Sequence, residues 1–253
     1  MTPTERRLPL LHEVVDLDET KRSIDRLSRR EVLQILGDDF VQHDGHVFHI
    51  VHIRDRVPVT VLSAVAECPW TTVVARLLAE RYGAEENTLY VPVNPHALLY
   101  GRLIHEKYLT FLEEELNIPV EVELEAEAQI NGRSVKIVGR VDALMPGSGR
   151  IVVLEVKTGS KISLRHMVQV WTYVHMLNMY VEDKIAKPLF LTPRGFEKVD
   201  KYYAWRDILQ LISLVLYIID KDGDVTWDRK RNCPRTRCPY YPWCPKAVKL
   251  DLA

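Results

Sequence analysis

Residues 138–160 read VGRVDALMPGSGRIVVLEVKTGS: two apolar, strand-like runs joined by the turn Pro-Gly-Ser-Gly. So short a connection between such runs predicts an antiparallel hairpin. In the second run Ile151, Val153, Glu155 and Lys157 share one face, while Val152, Leu154 and Val156 share the other. Burying an acid and an amine in such a strand is costly unless both are paired or bound to something. The hairpin brings Asp142 near Glu155, and two neighbouring carboxylates repel unless a cation lies between them. Hard oxygen ligands favour Mg²⁺ or Mn²⁺, and a nearby lysine can position a water or stabilise a pentavalent phosphate. That is the chemistry of metal-assisted phosphodiester hydrolysis. Taken alone, D-x(12)-E-x-K fits equally a cross-strand ion pair on an exposed sheet face.

The rest of the chain predicts what surrounds this hairpin. Residues 19–36 have helical spacing, and residues 40–62 read as short strands with an HDGH turn. His43, His46, His49 and His52 recur every third residue, so a strand puts His46 and His52 on one face and His49 on the other. That is a poor cage for one ion, and polar surface or satisfied core histidines account for it better. Ser63–Arg81 reads as a helix holding Cys68, and residues 93–116 as a helix with Asn94 as N-cap and Pro95 at its first position. Strands are expected over 118–130 and 135–144 around Asn131-Gly132, a helix from Ser163 to Asn178, strands near 184–191 and 197–203, and an apolar helix over 205–220. This order predicts an α/β fold (mixed α+β), with a central mixed sheet flanked by helices. The expected divisions are a helical and β extension (1–62), a core (63–220) and a Cys-rich basic tail (221–253).

Composition narrows the class. A net charge of −1 excludes a uniformly basic nucleic-acid binder but allows a local basic patch. The first 19 residues mix acids and bases without a continuous apolar stretch, unlike a secretion signal. The most apolar run, residues 208–219, is interrupted by Gln210 and Ser213 and is too short for a bilayer. The expectation is a cytoplasmic protein with no membrane segment.

Two more features join the hairpin. His105 lies in the helical stripe Leu98, Gly101, His105, Leu109, Leu112, where Gly101 would allow close approach to a sheet. Gln169 and Tyr173 form an i,i+4 pair on the helix that follows the lysine. Each is an ordinary helix-face residue by itself; G-x-x-x-H, G-R-V-D, E-V-K and Q-x-x-x-Y in one order are far more specific. GRLIHEKY, GRVDAL, LEVKTG and QVWTY resemble the RecB-type branch of the PD-(D/E)xK nuclease superfamily, over about residues 95–180. The resemblance implies a restriction-endonuclease-like core, with His105, Asp142, Glu155 and the Val156 carbonyl as metal ligands. It also implies Lys157 as the catalytic lysine, and Gln169 and Tyr173 lining the DNA site. A histidine among oxygen ligands admits Mn²⁺ as well as Mg²⁺.

The four cysteines, Cys68, Cys233, Cys238 and Cys244, are each followed by proline. With proline at about 5% of residues, this coincidence has a chance probability on the order of 10⁻⁵. Proline holds the preceding residue extended and recurs beside cluster-ligating cysteines in ferredoxins. One early and three late cysteines around such a core resemble the iron–sulfur nucleases. Among these, the stand-alone nuclease of CRISPR adaptation is nearest, because this chain has no G-x-x-x-x-G-K-[ST] loop of a helicase motor. Four residues separate Cys233 from Cys238 where that family more often has two. That departure weakens the assignment of cluster type: the resemblance implies a 4Fe-4S cluster, with 2Fe-2S and zinc left open.

The same resemblance implies an exonuclease acting on single-stranded DNA or overhangs, working in CRISPR adaptation beside integrase proteins. A homo-oligomer is left open. Residues 221–249 carry eight lysines and arginines against three acids, interleaved with Trp227, Tyr240, Tyr241 and Trp243. That mixture suits phosphate neutralisation and base stacking, or else aromatic packing around the cluster. Two alternatives stay open: a repair, replication or viral nuclease of the same fold, and a non-catalytic DNA-binding subunit with a structural cluster. The intact Asp142, Glu155 and Lys157 set argues against the second.

Overall fold

Caps and prolines decide where the helices of this chain break. The computed structural model describes residues 8–53, 56–147, 149–159, 161–182, 185–220 and 238–244. The chain begins with α1 (Leu11–Val14) and α2 (Leu17–Asp25), followed by α3 (Arg29–Leu36). A single helix over 19–36 was the expectation; the break comes at Ser28, which caps α3 in a reciprocal pair with Glu31. Strands β1 (Phe40–His43), β2 (His46–His52) and β3 (Arg56–Pro58) follow, then α4 (Val59–Glu67) and α5 (Trp70–Arg81). The strand region thus ends before residue 62. The helix expected over Ser63–Arg81 is two helices bent by 118° at Cys68. Pro69 is the cause: it drives Cys68 out of the helical region, to φ −157°, ψ 113°.

Next come β4 (Thr88–Val93) and α6 (Pro95–Leu116), the latter capped by Asn94 as its sequence predicts. Strands β5 (Val120–Ile130) and β6 (Arg133–Gly147) form a hairpin around Asn131 and Gly132, both at positive φ. The remaining elements are β7 (Arg150–Val156), α7 (Leu164–Asn178), β8 (Ile185–Thr192), β9 (Gly195–Lys198) and α8 (Trp205–Asp220). The last strand stops at Lys198 rather than near 203. Beyond it, the Lys201 and Tyr203 carbonyls accept hydrogen bonds from Trp171 and His175 instead of extending the ladder.

Strands β1, β2 and β4 form a small antiparallel sheet. The principal sheet is mixed: β3–β6 and β7–β8 are parallel, while β5–β6, β6–β7 and β8–β9 are antiparallel. Helices cover both of its faces. One core joins Val153 to α4, α7 and α8, and another joins Leu154 and Val156 to α6 and α1. The alternation read from the sequence of β7 is thereby realised. Leu154 is fully buried, and truncating such a residue to alanine costs about 2–5 kcal/mol.

The four histidines are used one by one. His49 stacks on Phe40, His43 on Tyr82, His46 meets the edge of Trp243, and His52 Nδ1 lies 3.2 Å from Thr88 Oγ1. Among the described residues, no helix is long and apolar enough to cross a membrane by itself.

Candidate active site

The principal sheet forks at Asp142. One edge of β6 pairs with β5 along most of its length. On its other edge β3 pairs with Lys136–Val138, and β7 takes over only at Ala143, opposite Leu154. Pairing with β7 therefore stops one step short of Asp142 and Glu155. On the β5 side the step opposite Asp142 is also skipped, and Glu121 there turns to φ +49°. Asp142 fills the gap with its own side chain: Val156 N–H donates to its Oδ2 at 2.6 Å, and His105 Nε2 lies 3.0 Å from its Oδ1.

Glu155 occupies the other side of the fork, 1% exposed. Its Oε1 accepts from Lys157 Nζ at 2.5 Å and from Gln169 Nε2 at 2.7 Å. Gln169 Oε1 in turn accepts from Lys157 Nζ at 3.3 Å, and Gln169 Nε2 lies 3.4 Å from the Tyr173 hydroxyl. The i,i+4 pair on α7 thus reaches the acid and the lysine together. Among the described residues, Glu155 Oε2 is buried without a hydrogen-bond donor. Burial pushes the Glu155 carboxyl up to about 7; the Asp142 charge adds to the rise, while Lys157 and His105 oppose it. His105 is raised: burial disfavours its charge, but the Asp142 hydrogen bond and the Asp142 and Glu155 charges outweigh that. Burial of Tyr173 holds its phenol strongly protonated.

The donor set suits a divalent cation in type, with two carboxylates, an imidazole and an unsatisfied buried oxygen. Among the described residues, no three His, Cys, Asp or Glu side chains converge into a ready cage. Glu155 Oε1 is turned toward Lys157 and Gln169, and His105 toward Asp142. The two acids, the imidazole and the lysine thus lie together at the fork, held in pairs by one another.

Three site residues had no sequence signal that singled them out. Gly139 is one: a Cβ there would sit 2.5 Å from Tyr173 Cε1 and 2.9 Å from Val59 Cγ2. Only glycine lets α7 bring Tyr173 onto β6, and its place within GRVD was the available hint. His166 is the second. It accepts the Ser163 N–H and is driven down to about 4, by burial first and then by the Lys157 and Arg165 charges. Phe40 is the third, lining a cavity together with His105 and Lys157. A Cβ added at Gly101 would meet Thr158 Oγ1, just past β7, at 3.4 Å, an ordinary contact that does not demand glycine.

Cys68 stands at the α4–α5 corner, and Cys238 and Cys244 pack against the larger core with Trp243. Cys233, Trp227 and the basic residues Lys221, Arg229, Lys230, Arg231, Arg235, Arg237, Lys246 and Lys249 lie outside the described residues. Tyr240 is buried in the larger core, and Trp243 packs on Phe48 and His46.

A forked mixed sheet that gathers Asp142, Glu155 and Lys157 defines the class. The family model for the PD-(D/E)XK nuclease superfamily matches residues 63–245, and the chain belongs to that superfamily. Membership implies metal-dependent nuclease activity, with DNA as substrate and a divalent ion such as Mg²⁺ or Mn²⁺. Among solved structures, the crystal structure of SSO0001 is similar in fold at 16% identity, with a TM-score of 0.53. The likeness covers 92% of this chain and 98% of that one. No curated protein matches the sequence.

Proposed function

We propose that the chain is an exonuclease that trims single-stranded DNA or overhangs, with Asp142, Glu155, the Val156 carbonyl and His105 holding the divalent ion. The observation that carries the ion site in this reading is Glu155 Oε2, a buried carboxylate oxygen with no donor among the described residues, beside Asp142 and joined through its other oxygen to Lys157. An unsatisfied buried acceptor is costly, and an ion would satisfy it. When bound, the ion supplies Lewis-acid polarisation of the scissile phosphoryl group.

The chain's own side chains do the rest. Lys157, braced by Glu155 and Gln169, presents an ammonium to the attacking water or to the charge that develops on the phosphate. Gln169 holds the lysine and the acid in one geometry, and Tyr173 steadies Gln169. Both are buried, so these two are positioning residues rather than surfaces for DNA. Asp142 anchors the end of β7 through the Val156 amide, so the two acids stay in register.

The Cys-Pro pattern supports an iron–sulfur cluster, 4Fe-4S in preference to 2Fe-2S, held by Cys68, Cys233, Cys238 and Cys244. Cys68 has the extended backbone that a cluster ligand before proline would use. Together with the RecB-type motifs, the cluster argues for end-processing of captured DNA in CRISPR adaptation, with integrase proteins as partners.

The test is degradation of end-labelled single-stranded DNA by the full chain with Mn²⁺, with chelator, and with Glu155→Ala. Mn²⁺-dependent release of short products by the wild type alone is expected. Equal activity of the Glu155→Ala protein would sink the nuclease assignment, and cleavage of circular single strands would sink the exonuclease part.

A further inference from the structure

Three grooves meet at Phe40. The first runs from Lys157 and His105, between α6 and the end of α3, with Arg102 on its wall. The second continues past Phe40 along α3, between Arg30 and Gln34. The third leaves His105 in another direction, along α6 toward Glu113.

Their charges differ sharply. Among the described residues no carboxylate lines the first groove; Lys157 is paired with Glu155 and His105 with Asp142, while Arg102 makes no ion pair. In the second, Arg29 and Arg30 meet a single acid among the described residues, Asp38. In the third, Arg102 and Arg140 meet Asp39, Glu106, Glu113 and Glu121, and Arg140 is already paired with Glu121 at 3.2 Å. A phosphate chain is drawn along the first two and repelled from the third.

The walls are held in place. Arg102 Nη1 donates to the Leu36 carbonyl at 3.2 Å, fastening the end of α3 to α6. A guanidinium has further N–H donors for phosphate. The Phe40 ring, half-buried, stacks on His49 with centroids 4.9 Å apart and planes 19° apart. An aromatic ring so braced at a groove junction is a platform on which any base can stack.

We propose that a single DNA strand reaches the catalytic centre through the first two grooves, crossing Phe40, which stacks a base, with Arg30 and Arg102 on its phosphates. The proposal rests on the nuclease reading and adds to it the path of the strand around α6. Phe40 and Arg30 contribute to substrate binding without touching the reacting atoms.

The test is binding of a fluorescein-labelled oligothymidylate of about twelve nucleotides, within the span such grooves cover. Anisotropy is read on the full chain in chelator, so that no cleavage is required. Phe40→Ala and Arg30→Glu should each weaken binding about 5-fold or more, the range expected for one stacked base or one phosphate contact. Phe40→Trp should restore it, which separates stacking from misfolding. Glu113→Gln, in the acid-lined groove, should leave binding within about 2-fold. Wild-type affinity in both Phe40→Ala and Arg30→Glu, or no binding by the wild type, overturns the proposal. So does a duplex of equal length bound equally well with the same pattern. A wild type that binds in the expected pattern but cleaves nothing with Mn²⁺ overturns the nuclease reading instead.

Discussion

The Val156 amide donates a 2.6 Å hydrogen bond to Asp142 Oδ2, so one side chain replaces the backbone ladder where β6 and β7 part. The pairing of the two strands ends at Ala143 and Leu154; the next link belongs to the carboxylate. An acid at this point is structural as well as chemical. Asp142→Ala leaves a buried amide without an acceptor, and the expected loss of stability is about 1–3 kcal/mol. Asp142→Asn keeps an acceptor and should lose clearly less, while both variants lose nuclease activity. Urea denaturation of the three proteins in chelator checks the difference; equal stability of wild type and Asp142→Ala would mean the bond holds nothing.

Glu155 ties stability to pH in the ion-free protein. Its carboxyl titrates near 4.5 in the unfolded chain and is raised to about 7 in the fold, through burial and the Asp142 charge. Between those values the native state holds more protons than the unfolded state, so stability falls as pH rises through the window. The raised His105 adds a loss of the same sign, since its stabilisation fades as pH climbs through its folded value. Melting temperatures measured in chelator should therefore decline from pH 4.5 toward pH 7. Glu155→Gln should flatten that decline, and a parallel slope in the variant would rule out Glu155 as its source.

Gly139→Ala tests the contact that brings α7 onto the sheet. The added Cβ meets Tyr173 and Val59 at distances that no side chain tolerates without movement. Overpacking of this kind costs about 1–3 kcal/mol. Because Tyr173 leads through Gln169 to Glu155 and Lys157, turnover should fall as well. Chemical denaturation and single-turnover cleavage together check both effects.

The proposed cluster has its own observable. Protein purified without oxygen should be brown and contain iron, and Cys68→Ser or Cys244→Ser should lose both. Zinc is colourless with a filled d shell, so a colourless protein with stoichiometric zinc would replace the iron–sulfur assignment.

Much of this site was legible before any coordinates. Alternation in IVVLEVK separated the Glu155 and Lys157 face from Leu154 and Val156, and the helix spacing put Gln169, which reaches the acid, on one face with Tyr173, which reaches Gln169. Those signals are local, carried by periods of two and about 3.6 residues. The bend at Cys68 was equally local, written in Pro69, yet helical propensity on both sides obscured it. What escaped is what depends on distant partners. Gly139 has its meaning only against Tyr173 and Val59, and Phe40 becomes a groove wall where α3 meets α6 through Val32, Leu36 and Leu99 and the Arg102 hydrogen bond. The fork itself arises because β3, from far upstream, takes the edge of β6 that β7 leaves bare.

The most direct measurement of the central claim is single-turnover hydrolysis of end-labelled single-stranded DNA at saturating Mn²⁺, by the wild type and by Lys157→Ala. Mn²⁺ affinity is read in parallel by calorimetry. If Lys157 acts on the developing charge, its removal should slow cleavage by about 10²-fold or more, the loss typical of one preorganised donor. Mn²⁺ affinity should be unchanged or higher. Equal rates in the two proteins would contradict the account.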